Sequence, residues 1–262
     1  MAKIIHNDTV DVLLERVSIR AFKDEAIGLD VLNTIEQAAQ NTASSQYLND
    51  WSAIRIKDPA VKTEIARICN QDYIANAPVL YIFVLDQYRN SLIAQSEGVA
   101  VDSDEFTLKN SYRFSQAQND AVLALHAMET AAESFELGTV ILGSILGNIP
   151  ELVKLLALPK YTYPVLGLAL GKPDQHPDPK PRLPRDIQFF DDSYNAEPNR
   201  ILDGIREYDR EVQAYYDTRG KDLSERAYSD MTTKKATSTA ALEMGLRARP
   251  RAGLRPREVA RQ

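Results

Sequence analysis

The 262-residue chain has one cysteine, Cys69, and three histidines, His6, His126 and His176. A single cysteine excludes a disulfide framework or a Cys-x-x-Cys centre within the chain, and it fits a reducing cytoplasm. None of the histidines keeps metal-ligand spacing with Cys69 or with another histidine, so no metal site is expected. There is no Gly-x-Ser-x-Gly turn to carry a serine nucleophile. Long apolar runs are missing: the longest, Ala77–Leu85, is under half a membrane span. The N-terminal "MAKIIHNDTVDVLLERVS" carries acids and no sustained apolar stretch, so no signal peptide is expected. Positive charge is in deficit, with a formal net charge of −6, which argues against nucleic-acid binding by the body of the chain. These absences describe a cytoplasmic protein with no membrane and no nucleic-acid partner.

Glycine-rich phosphate loops also fail. "GLALGKP" (Gly167–Pro173) is one residue short of a P-loop, and Pro173 stands where a hydroxyl would bind magnesium. "GTVILGSILG" (Gly138–Gly147) is not a Gly-x-Gly-x-x-Gly fingerprint, so a dinucleotide would not sit in a Rossmann crevice. His126 falls in an apolar helical pattern and reads as a hydrogen-bonded core histidine.

What is present is a succession of helices and short strands. Val10, Leu13, Leu14 and Val17 keep helical spacing behind Asn7 or Asp8 as N-cap, and Leu29–Gln40 is a second amphipathic helix. Trp51–Asp58 alternates as a strand does, and Pro59 suits the first turn of a helix running to about Ile68. Val79–Asp86 is apolar on both faces, as a central strand is. Tyr88–Asn110 is acidic and loosely patterned and reads as a mobile excursion. Phe114–Gly138 is a long Ala-rich helix, apolar on more than one side, suited to an interior or a subunit interface. Thr139–Ser144 and Tyr163–Pro173 are strands, and Ile149–Leu158 and Pro198–Thr218 are helices. The pattern predicts a mixed α/β or α+β layered domain. The last stretch, 244–262, has six arginines, one glutamate and no lysine. It reads either as vector-derived or diverged sequence or as a basic arm for an anionic partner.

Four segments carry groups suited to a flat, anionic ligand. In "ERVSIRAF", Arg16, Ser18 and Arg20 alternate along an extended stretch, so they share one side. Two guanidiniums and a hydroxyl suit a phosphate, or else form a solvated face paired with Glu15 and Asp24. "NTASSQYLND" offers Ser44, Ser45 and Asn49 as short polar groups, or is an ordinary polar loop. In "ELGTVILGSILGN", Gly143 lies just past a strand, where it either lets a ring approach the backbone or makes a tight turn. In "HPDPKPRLP", prolines stiffen an extended loop. Stiffness lowers the entropy lost when Lys180 and Arg182 bind an anion, unless the loop merely carries its charges into water.

Together "RVSIRAF", "NTASSQYLNDWSAIRI", "NQDYIANAP", "AAESFELGTVILGSILGNIPELVKLLALP", "PVLGLALGKPDQHPDPKPRLP" and "YYDTRG" resemble the oxygen-insensitive NADPH nitroreductase and NADPH–flavin oxidoreductase family. The resemblance runs from about residue 7 to 220. It implies an α+β nitroreductase-like fold, with a central, mainly antiparallel sheet flanked by helices, dimeric with FMN at the subunit interface. It implies that residues 1–220 form the FMN-binding domain and that 221–243 complete the dimer or the NADPH site, leaving 244–262 as the arginine-rich tail. By the same resemblance Arg16 and Ser18 hold the FMN phosphate, where the family often has His in place of Arg16. Arg20 lies by the pyrimidine edge of the flavin, and Gln71 bonds the ring edge. Leu142, Gly143 and Ser144 run beside the ring, a second glycine being common where Ser144 stands. Lys180 and Arg182 clamp the phosphate, Ser44 and Ser45 come from the other subunit, and Arg219 is associated with NADPH. The implied activity is ping-pong hydride transfer from NAD(P)H, NADPH preferred, through FMN to a small-molecule acceptor: a nitroaromatic, quinone, azo compound or free flavin. No catalytic side chain is implied. A non-catalytic FMN-binding or FMN-delivery protein would share the clamp, and an anion- or nucleic-acid-binding module led by the arginine tail is a third reading.

Overall fold

The structure is a computed structural model and describes residues 3–217 and 227–239. The chain divides into two compact units, one made by the residues up to 177 and one by residues 178–243. In the first, α1 (Asp8–Glu15) and α2 (Leu29–Gln40) precede β1 (Trp51–Arg55), α3 (Pro59–Cys69) and β2 (Val79–Asp86). Then come α4 (Tyr88–Ser96), α5 (Ser111–Ser134), β3 (Gly138–Leu142), α6 (Ile149–Leu155) and β4 (Thr162–Gly171). The second unit contains α7 (Pro198–Asp217) and α8 (Tyr228–Ala236).

The four strands form one antiparallel sheet in the order β1-β2-β4-β3. β2 is central and buried from Val79 to Leu85, which explains its unbroken apolar sequence. Its two faces meet different helices. Leu80, Ile82 and Val84 pack with Ile65, Ala66 and Cys69 of α3 and with Leu152 of α6. Val79, Tyr81 and Phe83 pack with Leu32, Ile35 and Ala39 of α2 and with Leu125 and Met128 of α5. Helices thus cover both faces of the sheet. Ala117, Ala121, Ala124 and Ala132 are buried on α5, and these short side chains bring its axis close to its neighbours.

Local chemistry sets the helix starts. The side chains of Asn7, Asp58 and Asn110 accept from Val10 N, Ala60 N and Arg113 N at the heads of α1, α3 and α5. Asn70 closes α3 in the left-handed conformation, φ 51°.

Several sequence expectations shift. Residues 88–110 are not simply an excursion: α4 occupies their first part. Its buried residue is Ser91, whereas Leu92 and Ile93 are exposed, so it lacks the apolar stripe that would reveal it. The long helix ends at Ser134, and Gly138 opens β3 instead. Val17 lies beyond α1, and β1 stops at Arg55. The His126 side chain is 55% exposed, with Nδ1 3.2 Å from Glu129 Oε2; it is not a core histidine.

Candidate functional site

After α1 the chain becomes extended and lies along β3. Ser18 forms an isolated parallel bridge with Thr139, and Ile19 N donates to Thr139 O at 2.8 Å. Ile19 is buried against Gly138, where a Cβ would come within 2.7–2.8 Å of three Ile19 side-chain atoms. The glycine is what permits this approach. It holds Arg16 and Ser18 on one side: Arg16 Nη2 donates to Ser18 Oγ at 3.3 Å. Behind them, Arg16 Nε donates to Glu129 Oε1 at 2.9 Å and lies 3.7 Å from Glu133 Oε1. Burial pushes the Glu133 carboxyl up to about 7, against the opposing pull of Thr139 and Arg16.

The chain leaving β4 runs beside this stretch. Lys23 N donates to Lys172 O at 2.9 Å, Asp174 N to Ala21 O at 2.9 Å, and Gln175 Nε2 to Ser18 O at 3.4 Å. The start of the proline-rich loop is therefore bonded to the stretch that carries Arg16, Ser18 and Arg20.

A second group forms where α3 and β3 end. Gln71 Oε1 accepts from Tyr73 Oη at 2.6 Å and from Ser144 Oγ at 3.3 Å. Burial raises the Tyr73 hydroxyl, and the Arg20 cation beside it acts the other way, which places Arg20 with this group. Leu142 is buried in the core beneath this group. Gly143 is exposed, and a Cβ built there would meet nothing within 4 Å. Packing within the protein does not require glycine at this position. An open cradle beside a polar edge of Gln71 and Ser144 fits a flat ring laid against the backbone.

Ser44 and Ser45 belong to a different cluster. Ser44 Oγ donates to Asp120 Oδ2 at 2.6 Å, and Ser45 N donates to Asp120 Oδ1 at 3.0 Å. Asp120 and Glu129 are nine residues apart on α5, roughly 13 Å along the axis. Within one chain the two serines are thus held well away from Arg16. Their loop is strained: Gln46, Tyr47 and Asn49 all have positive φ, 54°, 60° and 47°. Asp50, fully buried, accepts from Gln87 Nε2 at 2.8 Å. Its other oxygen has no hydrogen-bond partner. Burial and the neighbouring Asp120 push the Asp50 carboxyl up to about 7.

In the second unit, Arg182 Nη1 donates to Lys180 O at 2.7 Å and to Pro181 O at 3.3 Å, and Tyr208 Oη donates to Pro181 O at 3.1 Å. Both Lys180 and Arg182 are exposed. Arg219 and the tail 244–262 lie outside the described residues.

Residues 13–172 match the model of the nitroreductase family, and residues 180–252 match the model of the nitroreductase family, C-terminal domain. The chain belongs to the nitroreductase family. Among its relatives is an NADPH-dependent oxidoreductase of Staphylococcus haemolyticus, 30% identical over 89% of this chain and 93% of that protein. An FMN reductase (NADPH) of Bacillus subtilis is 30% identical over 86% and 89%. The solved structure of B. megaterium NfrA2 superposes with a TM-score of 0.86, at 30% identity, over 95% of this chain and 99% of that one.

For this nitroreductase-family chain, sequence reasoning missed the acidic groups behind Arg16 and behind Ser44 and Ser45. Glu129 and Glu133 stand four apart on an otherwise Ala-rich helix, and Asp120 interrupts the same apolar pattern. An acid on a face that must be buried is the signal that could have found them. Among the described residues, no group of His, Cys, Asp and Glu could hold a metal ion, and no helix is long and apolar enough to cross a membrane.

Proposed function

We propose that the protein is an FMN-dependent NAD(P)H oxidoreductase that reduces nitroaromatics, quinones, azo compounds or free flavin. The observation that carries the reading is the open backbone at Gly143 beside the Gln71–Ser144 pair, in a chain of the nitroreductase family.

Bound FMN would supply the hydride chemistry between NAD(P)H and the acceptor. The protein binds and orients. Arg16 and Ser18 hold the phosphate, with Lys180 and Arg182 as further cations for it. The Leu142–Ser144 backbone lies beside the ring, Gln71 bonds its edge, and Arg20 favours negative charge at the pyrimidine end. Arg219 is assigned to NADPH. No side chain acts as nucleophile or general base in this scheme.

A homodimer goes with this reading. α1 buries none of its residues, and Leu13 and Leu14 are 43% and 49% exposed. Val122 and Leu123 on α5 are exposed as well. An apolar face of this kind calls for a cover, and a second copy would also supply Ser44 and Ser45 to the ring. A cytoplasmic setting follows from the dependence on NAD(P)H and fits the free, buried Cys69.

The test is the visible absorption of the purified protein before and after NADPH. A yellow protein that bleaches with NADPH and recolours with a quinone or a nitroaromatic is the expected result. A yellow protein that NAD(P)H cannot bleach is a flavin carrier, and a colourless one that takes up no added FMN refutes the reading.

A further inference from the structure

Arg16 faces two carboxylates with one positive charge. Glu129 is 1% exposed and Glu133 is 11% exposed at the side chain, and their nearer oxygens lie 2.9 and 3.7 Å from Arg16 Nε. Thr139 Oγ1 lies 2.7 Å from Glu133 Oε1 and 3.3 Å from Glu129 Oε1. Its single proton can serve one of them at a time. The charged and titratable groups facing Glu133 are Glu129 and His126 on its own helix and Arg16 from the stretch after α1, while β3 presents the Thr139 hydroxyl. His126 is largely exposed and bonded to Glu129, so it compensates Glu133 weakly. With both carboxylates ionised, the buried group is net negative before any ligand arrives. A phosphate dianion on Arg16 would add repulsion in a place with little water to screen it.

The geometry also divides the guanidinium. Glu129 engages Nε, Ser18 lies at Nη2, and the Nη1 edge is left outside these contacts. A buried carboxylate at Nε fixes the plane of the fork, which is what bidentate phosphate binding needs.

We propose that Glu129 is the positioning residue for Arg16 and that Glu133 compensates its charge, binding a proton from solvent when a phosphate dianion docks and releasing it when the phosphate leaves. The proposal rests on the FMN reading, because FMN is the phosphate it names. The raised affinity of Glu133 for a proton near neutrality makes the exchange accessible at working pH. Above about pH 7 the free protein has Glu133 ionised, docking must take up a proton, and affinity falls as pH rises. The second ionisation of the phosphate, near pH 6, acts in the opposite direction and is nearly complete by about pH 7.5. A loss of FMN affinity above neutrality therefore reports on the protein.

The experiment titrates FMN and riboflavin into flavin-free full-length protein. Calorimetry in two buffers of different ionisation enthalpy reads proton uptake, and flavin fluorescence reads affinity from about pH 6 to 9. For wild type we expect proton uptake with FMN and none with riboflavin, and an FMN Kd that climbs toward about tenfold per pH unit above neutrality. Glu133→Gln should abolish the uptake and flatten the profile. Glu129→Gln should weaken FMN by about tenfold or more while leaving riboflavin unchanged. Equal uptake with riboflavin, or uptake that persists in Glu133→Gln, overturns the role of Glu133. An FMN affinity unchanged in Glu129→Gln overturns the role of Glu129. The wild-type comparison of the two flavins needs no variant to fold. If wild type binds FMN but takes up no proton, this inference alone fails; if it binds no FMN, the flavoenzyme reading fails with it.

Discussion

Gln175 donates its side-chain amide to the backbone carbonyl of Ser18 at 3.4 Å. That contact extends a ladder in which Asp174 N bonds Ala21 O and Lys23 N bonds Lys172 O, with an antiparallel bridge between Phe22 and Pro173. Two segments about 150 residues apart in sequence are thus joined where one carries Arg16, Ser18 and Arg20 and the other begins the loop that leads to Lys180 and Arg182.

The loop cations supply the first prediction. Charge-assisted hydrogen bonds to a phosphate contribute about 1.5–3 kcal/mol each. Replacing Lys180 and Arg182 together by Ala should weaken FMN by at least about a hundredfold and leave riboflavin nearly unaffected. Equilibrium dialysis against both flavins checks it. Full FMN retention in the double variant would remove both residues from the phosphate site.

Arg20 sits with Tyr73, whose hydroxyl bonds Gln71, itself bonded to Ser144. A cation in that group should favour the more negative oxidation state of a bound ring. Arg20→Ala is therefore expected to lower the midpoint potential of the bound flavin and to slow its reduction by NADPH. Redox titration and stopped-flow absorbance measure the two quantities. If neither moves, Arg20 has no electrostatic role at the ring.

How far the sequence carried these conclusions depended on the kind of signal. β2 was legible because both faces of a central strand must be apolar, and Val79–Leu85 is buried throughout. Asn7 and Pro59 marked helix starts through chemistry confined to one turn. α4 was hidden because its inward residue is Ser91 and its apolar residues face out. Periodicity cannot reveal a helix that buries a hydroxyl. The carboxylates of Glu129, Glu133, Asp50 and Asp120 were missed for another reason: acids usually lie on the surface, and an acid that interrupts an apolar helix face, as Asp120, Glu129 and Glu133 do, is a weaker signal than the face itself. Spacing put Arg16 and Ser18 on one side, whereas Ser44 and Ser45 became candidate ligands, from the other subunit, only through the family resemblance; the structure adds that Asp120 and Glu129 of α5 hold the serines and Arg16 apart within one chain.

Two glycines of the proposed FMN site, Gly138 behind the Arg16–Ser18 stretch and Gly143 beside the ring, should respond differently to alanine. At Gly138 a Cβ would lie 2.7–2.8 Å from atoms of buried Ile19, so Gly138→Ala forces the Ser18–Thr139 bridge apart. Overpacking of this kind costs about 1–3 kcal/mol. The flavin-free protein should lose several degrees of Tm, roughly 2–4 °C per kcal/mol at this size. At Gly143 a Cβ meets nothing within 4 Å, so Gly143→Ala should leave the flavin-free Tm almost unchanged and weaken FMN by crowding the ring. Thermal unfolding of both variants, with and without FMN, separates the cases. An unchanged FMN affinity in Gly143→Ala would mean that the ring does not lie against this backbone.

The buried carboxylates make stability depend on pH with a definite sign. Burial and Asp120 raise the Asp50 carboxyl from 3.8 to about 7, and burial raises Glu133 from 4.5 to about 7. A carboxyl with a raised folded-state value binds its proton more tightly when folded. Its contribution to stability is fully present below the unfolded value and is lost as pH rises through the folded one. The flavin-free protein should therefore be less stable at about pH 8 than at about pH 5.5, apart from other titrating groups. Asp50→Asn makes the neutral form permanent. Its oxygen can still accept from Gln87 Nε2, and its amide can donate toward Asp120, as a protonated Asp50 would. The variant should match wild type in Tm at the acidic end and exceed it at the alkaline end, with a shallower slope between. A wild-type slope retained in Asp50→Asn would place the proton elsewhere, and Glu133→Gln measured in the same way would show whether it sits behind Arg16.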